Sequence, residues 1–241
     1  MSGVALVTGG ASGIGAEICR QMLAAGYEVI SLSLRVPDWT HERLHAEVVD
    51  LLDASATRAV AHRVASSFAI THVVHNAGAI RPALLDDVTD ADLAALTQLH
   101  LGAALQIVQA CVGGMRARKF GRIVMISSRG ALGLATRSAY AATKAGVIGL
   151  ARTWAVELAG EGITVNVVSP GPIADTDMFR NVVPEGSPRE ANLAAAIPVQ
   201  RLGRSEDVAR AVMFFADPAN SFVTGQNLYV CGGASLGAIV I

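Results

Sequence analysis

An apolar run from Val4 to Thr8 passes through Gly9-Gly10-Ala11-Ser12-Gly13-Ile14-Gly15 into a segment with apolar residues at Ile14, Ile18, Met22 and Leu23. The first pattern is a buried strand and the second one face of a helix. Glycines between them permit a tight turn and leave the first N–H groups of the helix open to an anion, since no Cβ stands in the way. In isolation such a turn serves folding as well as binding, so its weight depends on the rest of the chain.

Strand-like runs recur at Val29 to Leu34, Val48 to Leu51, His72 to His75, Arg122 to Ser127, Thr164 to Ser169 and Asn227 to Val230. Helical spacing lies between them, as in Val147, Leu150, Trp154 and Leu158, and segments close near glycines such as Gly26 and Gly162. This alternation predicts an α/β architecture: one doubly wound parallel sheet of about seven strands, with helices on both faces and ligands beyond the carboxyl ends of the strands. The 241 residues, 52% of them hydrophobic, suit a single domain whose strands are buried on both sides. Across 174–198 the rhythm lapses around Pro184, Gly186 and Pro188, while Met178, Phe179, Val182, Val183 and Leu193 supply apolar surface, which marks a candidate lid.

A formal net charge of -1 with interspersed signs leaves no basic field for nucleic acid. No long purely apolar stretch or basic leader is present, so neither a membrane span nor a signal peptide is expected, and the cytoplasm is the expected location. Cys19, Cys111 and Cys231 lie far apart and read as buried thiols rather than disulfides or zinc ligands.

The G-x-x-x-G-x-G spacing of Gly9, Gly13 and Gly15 resembles the nucleotide loop of the short-chain dehydrogenase/reductase family, and that family's landmarks come next in order. His75-Asn76-Ala77-Gly78 resembles its N-A-G motif, Tyr140-Ala141-Ala142-Thr143-Lys144 its Y-x-x-x-K, Ser169-Pro170-Gly171 its P-G turn, and Gly225 with Gly232-Gly233 its C-terminal segment. The resemblance covers essentially the whole chain. It implies a Rossmann domain that moves a hydride between a nicotinamide dinucleotide and a small carbonyl or alcohol, and the lid's Met178, Phe179 and Val182 suggest that this substrate is partly apolar. It also implies a homo-oligomer, with a tetramer favoured, and the apolar tail Leu236 to Ile241 would suit burial against a neighbour.

By the same resemblance, Tyr140 is the acid/base and Lys144 lowers its pKa while binding the nicotinamide ribose; the two lie four residues apart on one helical face. Ser128 would hold the substrate oxygen. Ser127 stays open as the alternative, because neighbouring side chains on a strand face opposite ways and the segment to Tyr140 is about one residue short. His100 stands where the family usually has Asn in a proton relay. Imidazole titrates near neutral pH, so either a relay with a different pH response or a packed histidine fits.

For the cofactor, Gly9, Ser12, Gly13, Ile14 and Gly15 would hold the pyrophosphate, Asn76, Ala77 and Gly78 the floor, Asp50 and Leu51 the adenine, and Pro170, Gly171, Ile173 and Thr176 the nicotinamide end. Ser33 sits where NAD-preferring relatives carry Asp, and Arg35 tilts the expectation to NADP over NAD. His41-Glu42-Arg43-Leu44-His45 is a literal H-E-x-x-H, but it falls in a variable connection without an evident third ligand, so no metal is expected. His62 and His72 read as solvated or packed.

The same fold also hosts epimerases, dehydratases and non-catalytic dinucleotide sensors. The 3-oxoacyl-carrier-protein reductases are the subgroup nearest by general look, although Glu161, where such relatives carry a basic residue, would repel an acidic carrier.

Overall fold

The computed structural model describes residues 3–236. Seven strands form one parallel sheet in the order β3-β2-β1-β4-β5-β6-β7. They are β1 (Val4–Thr8), β2 (Glu28–Ser33), β3 (Leu44–Val48), β4 (Ile70–His75), β5 (Gly121–Ile126), β6 (Ile163–Pro170) and β7 (Asn227–Val230). The helices are α1 (Gly13–Ala24), α2 (Ala54–Ser67), α3 (Asp90–Thr97), α4 (Ala103–Arg118), α5 (Ser138–Leu158), α6 (Asp177–Arg180), α7 (Pro188–Ala196) and α8 (Ser205–Ala216). The order of strands reverses between β1 and β4, which opens a crevice at their carboxyl ends.

The central strands β5 and β6 are buried at every position, as their unbroken apolar runs require of a sheet covered on both faces. One face packs Ile30, Val73, Met125 and Val165 under α2, α4 and α5; the other packs Val7, Val29, Val124 and Val168 under α1 and α8. Helix α2 begins at Asp53, whose carboxylate accepts from the Ser55 and Ala56 N–H groups at 2.8 and 3.0 Å. Helix α1 has no side-chain cap and no acid in its first turn, so its amino end keeps its free N–H groups and partial positive charge.

The expected strand at Val48 to Leu51 is corrected: the strand is Leu44–Val48, paired with β2 from Val29↔Leu44 to Ser33↔Val48. As an edge strand, half exposed, it alternates rather than running apolar. The apolar residues that suggested the later run are past its end, where Val49 and Leu51 are buried beneath the crevice. The second strand likewise stops at Ser33, leaving Leu34 exposed. Consequently the H-E-x-x-H residues share no helical turn: His41 precedes a turn and His45 is on β3, bonded to Glu28 at 2.8 Å. All three cysteines are buried and free.

The 174–198 segment is more regular than the loop expected, because it contains α6 and α7, tied by an Arg180–Glu190 ion pair at 2.8 Å. Its ends meet at a neck. Ile173 bridges Gly203, the Ala174 N–H donates to the Gly203 carbonyl at 2.9 Å, and the Gly203 N–H donates to that of Pro172 at 3.0 Å. Asp175 accepts from the Ser205 N–H at 2.8 Å, tying the neck to α8.

Asp90–Arg118 is long and apolar enough to cross a membrane by length and composition, but half of its most apolar window is buried and it packs on α2, α5 and β4, as a core helix does. Of the apolar tail, Leu236 is exposed; the rest lies outside the described residues.

Candidate active site

The crevice is a cleft of about 910 Å³, large for a ligand pocket, and it runs from the glycine loop to the α6–α7 segment. Gly9, Ser12, Gly13, Ile14, Ser33, Arg35, Asp50, Leu51, Asn76, Ala77, Gly78, Ser128, Tyr140, Lys144, Pro170, Gly171, Ile173 and Thr176 all line it. Two predicted residues do not. Gly15 is packed behind the loop, where a Cβ would stand 2.0 Å from the Gly9 carbonyl oxygen, and His100 lies beneath the floor.

Thr8 sets the loop against the floor. Its buried hydroxyl accepts from the Asn76 and Ala77 N–H groups at 3.0 and 2.9 Å and donates to Nδ1 of His75 at 3.2 Å. Asn76 returns its side-chain amide to the Thr8 carbonyl at 3.0 Å. Gly9 and Gly13 have φ of 68° and 52°, the left-handed backbone that turns the chain from β1 into the amino end of α1, with the Gly9 N–H donating to the Leu32 carbonyl at 2.8 Å. Thr176 closes the far side, since a Cβ on Gly13 would come within 3.3 Å of its methyl. This bare, cationic-ended cradle fits a pyrophosphate. Ser33 Oγ accepts from the Ala11 N–H at 3.2 Å, which commits it to the loop. Arg35 is exposed at the cleft mouth, 3.9 Å from Asp177.

At the opposite end, Ser127 and Ser128 separate as strand alternation requires. Ser127 is buried and donates to the Lys144 carbonyl at 2.7 Å, whereas Ser128 faces the cleft and Tyr140. Ser128, not Ser127, is therefore the hydroxyl beside the tyrosine. Burial pushes Tyr140 above its usual pKa, opposed by the Ser128 hydroxyl and the Arg137 charge. Lys144, wholly buried, is pushed down to about 7 by desolvation and donates to the Ile126 carbonyl at 2.8 Å. Arg137, a residue outside the Y-x-x-x-K motif, thus joins Lys144 beside the tyrosine, the Lys144 ammonium lying 5.8 Å from the centre of the Tyr140 ring. Arg137 lies at i−3 from Tyr140, a spacing that would have put it on the same helical face.

His100 occupies a wide turn of π-helix, Gln98–Gly102, between α3 and α4. Its Nε2 accepts from the Ala79 N–H at 3.3 Å, so Nδ1 carries the proton and donates to Thr143 Oγ1 at 2.8 Å. Burial first, then the charges of Lys144 and His75, lower its pKa to about 2. A histidine that changes charge near neutral pH is therefore corrected to a neutral one that ties the floor to α5 through Thr143. His72 is likewise packed, its Nε2 donating to the Ala216 carbonyl at 3.1 Å and its pKa lowered to about 4, mainly by burial.

Comparison with known proteins decides the family: the one described as Enoyl-(Acyl carrier protein) reductase matches residues 9–235. The chain belongs to the short-chain dehydrogenase/reductases. This short-chain dehydrogenase/reductase is similar to the (2S)-[(R)-hydroxy(phenyl)methyl]succinyl-CoA dehydrogenase subunit BbsD of Thauera aromatica, at 36% identity over 97% of this chain and 96% of that protein. It is also similar to the 3-oxoacyl-[acyl-carrier-protein] reductase FabG of Salmonella typhimurium, at 33% over 95% and 96%. Among solved structures, ElxO with NADP bound superimposes with a TM-score of 0.89 at 28% identity, over 97% of this chain and 99% of that one. The chain is accordingly an oxidoreductase of a family that uses NAD(P).

Proposed function

We propose that this short-chain dehydrogenase/reductase is an NADP(H)-preferring ketone reductase or alcohol dehydrogenase acting on a partly apolar small molecule. The observation that carries the reading is the convergence of Ser128, Tyr140 and Lys144 at one end of a cleft whose other end is the glycine cradle. The bound dinucleotide supplies or accepts the hydride.

Ser128 and Tyr140 hold the carbonyl oxygen, and Tyr140 gives its proton to the alkoxide as that charge develops. Lys144 is anchored on the Ile126 carbonyl, from where its ammonium would hold ribose hydroxyls of a bound dinucleotide and supports the phenolate of Tyr140. The apolar side chains of Phe179 and Val182 cover the substrate and exclude water. NADP is favoured at the other end because Ser33 carries no charge against a 2′-phosphate and Arg35 stands beside it.

A 3-oxoacyl thioester substrate is the second reading, supported by the FabG similarity. Glu161 no longer opposes it: its carboxylate is paired with Arg116 at 2.9 Å, which offsets repulsion of an acidic carrier.

Equilibrium titration with NADPH and NADH tests the cofactor, and turnover of a ketone, alcohol and 3-oxoacyl thioester panel with Tyr140→Phe as control tests the chemistry. Tighter NADPH binding and turnover abolished by Tyr140→Phe are the expected results. Tighter NADH binding overturns the role of Arg35, and failure to bind either dinucleotide overturns the whole reading.

A further inference from the structure

The substrate end of the cleft is apolar along Leu134, Phe179 and Val182, yet Arg129, Arg137 and Arg189 line the same end. Among the described residues, none of these three arginines has a carboxylate within ion-pair distance; eight other arginines of the chain do, and six further ones do not, but those six lie outside the cleft. Their hydrogen bonds go to oxygens without charge. Arg129 donates to the Ala234 carbonyl at 3.0 Å and Arg189 to that of Val182 at 3.1 Å. Arg137 Nη1 donates to Thr136 Oγ1 at 2.6 Å and to the Thr136 carbonyl at 3.2 Å. A guanidinium has five N–H donors and stays charged at any working pH, so a half-buried Arg137 is left with donors and a charge to satisfy.

Arg137 precedes Tyr140 by one helical turn at the start of α5, and its charge reaches the tyrosine hydroxyl. Its place is maintained against strain. Thr136, a β-branched residue, has φ of 66°, a left-handed conformation that costs of order 1–3 kcal/mol. The Ala83 N–H, donating to the Thr136 carbonyl at 3.1 Å, and the Ala83–Arg137 bridge hold it there. The backbone is strained where it delivers an unpaired cation to the reacting end of the cleft.

We propose that Arg137 determines specificity by binding a carboxylate of the substrate itself, so that the enzyme acts on oxo or hydroxy carboxylic acids with an apolar tail. This rests on the oxidoreductase reading above. The two in-plane oxygens of a carboxylate match the guanidinium fork. A thioester carrier also brings phosphates, but at the far end of a long arm, whereas Arg137 is one turn from the residue that protonates the carbonyl oxygen. The anion it binds is therefore only a few bonds from that carbonyl, with the tail along Phe179 and Val182.

The test compares 3-oxooctanoate, methyl 3-oxooctanoate and 3-oxooctanoyl-CoA as substrates of the full chain with NADPH, for the wild type, Arg137→Gln and Arg137→Lys. NADPH titration of each variant reports its integrity independently of turnover. In the wild type, kcat/KM for the acid should exceed that for the ester by roughly tenfold to a hundredfold, the range of one bond to a charged group. Arg137→Gln should erase most of that ratio, chiefly through KM, and Arg137→Lys should keep part of it, because an ammonium retains charge without the fork.

Equal use of acid and ester by the wild type, a ratio that survives Arg137→Gln, or turnover of the CoA thioester alone each overturns the proposal while leaving the oxidoreductase reading intact. Binding of NADPH without turnover of any of the three overturns it as well. If Arg137→Gln fails to bind NADPH, the ratio in Arg137→Lys decides, and an unchanged ratio there counts against the proposal. If neither dinucleotide binds the wild type, both readings fall together.

Discussion

Lys144 should destabilise the ligand-free enzyme that needs it, and Lys144→Met should reveal this as a gain in stability. In the folded chain the ammonium is wholly buried and its pKa falls from 10.5 to about 7. Between those values the unfolded chain binds the proton and the folded chain does not, so folding stability from this group rises with pH across the window and the penalty is complete below pH 7. At about 1.4 kcal/mol per pH unit, the fall corresponds to roughly 5 kcal/mol. Methionine fills a similar volume but leaves the Ile126 carbonyl without its 2.8 Å donor, a loss of about 1–3 kcal/mol. A net gain of roughly 2–4 kcal/mol therefore remains at pH 7, alongside lost turnover. Urea denaturation of both proteins at pH 7 and 9.5, at one protein concentration and without dinucleotide, measures it. The variant's advantage should shrink at the higher pH. A Lys144→Met protein less stable than wild type at pH 7, or an advantage that does not change with pH, would refute the reasoning.

Gly15→Ala should lower NADPH affinity at least a hundredfold and cost about 1–3 kcal/mol through overpacking, since its Cβ meets the Gly9 carbonyl oxygen at 2.0 Å. Gly113→Ala, on an open face of α4 with nothing within 4 Å, should instead raise stability by up to about 1 kcal/mol, so thermal unfolding and titration must separate the two. Ser128→Ala should reduce kcat about 10²–10³-fold, while Ser127→Ala, which loses the bond to the Lys144 carbonyl, should mainly cost about 1 kcal/mol of stability; steady-state kinetics showing the reverse order would put Ser127 at the substrate. His72, lowered to about 4 in the folded chain, takes up its proton on unfolding below pH 6.5, so stability is lost as pH falls from 6.5 to 4. His72→Gln should lessen that loss by up to roughly 3 kcal/mol in acid titrations followed by circular dichroism, and an unchanged acid slope would contradict the assignment.

What could be read from sequence was whatever short-range chemistry dictates. The turn Gly9 to Gly15 and the Tyr140-to-Lys144 spacing each carry their geometry within a few residues, and the unbroken apolar runs of β5 and β6 announce burial on both faces. The third strand escaped that logic because an edge strand needs no apolar run, while Val49 and Leu51, past its end, are buried in the core cluster shared with α2 and α4. His100 is chemically ambiguous until its neighbours are known; only the π turn and the contacts with Ala79 and Thr143 show a neutral ring. The i−3 spacing of Arg137 from Tyr140 was a local signal, but the bridge to Ala83 and the left-handed Thr136 that aim it leave no mark in local periodicity.

The neck at Ile173 and Gly203 makes the segment between them a replaceable cassette. Its two ends are paired to each other and pinned to α8 by Asp175, so a change of length beyond Thr176, the residue that closes the glycine cradle, does not pull on β6. Doubling such a loop costs only about 0.6 kcal/mol of closure entropy. Grafting another roof between Thr176 and Ile197, with both of those residues kept, should therefore redirect the enzyme to a differently shaped substrate while the dinucleotide seat and its proton donor are inherited unchanged.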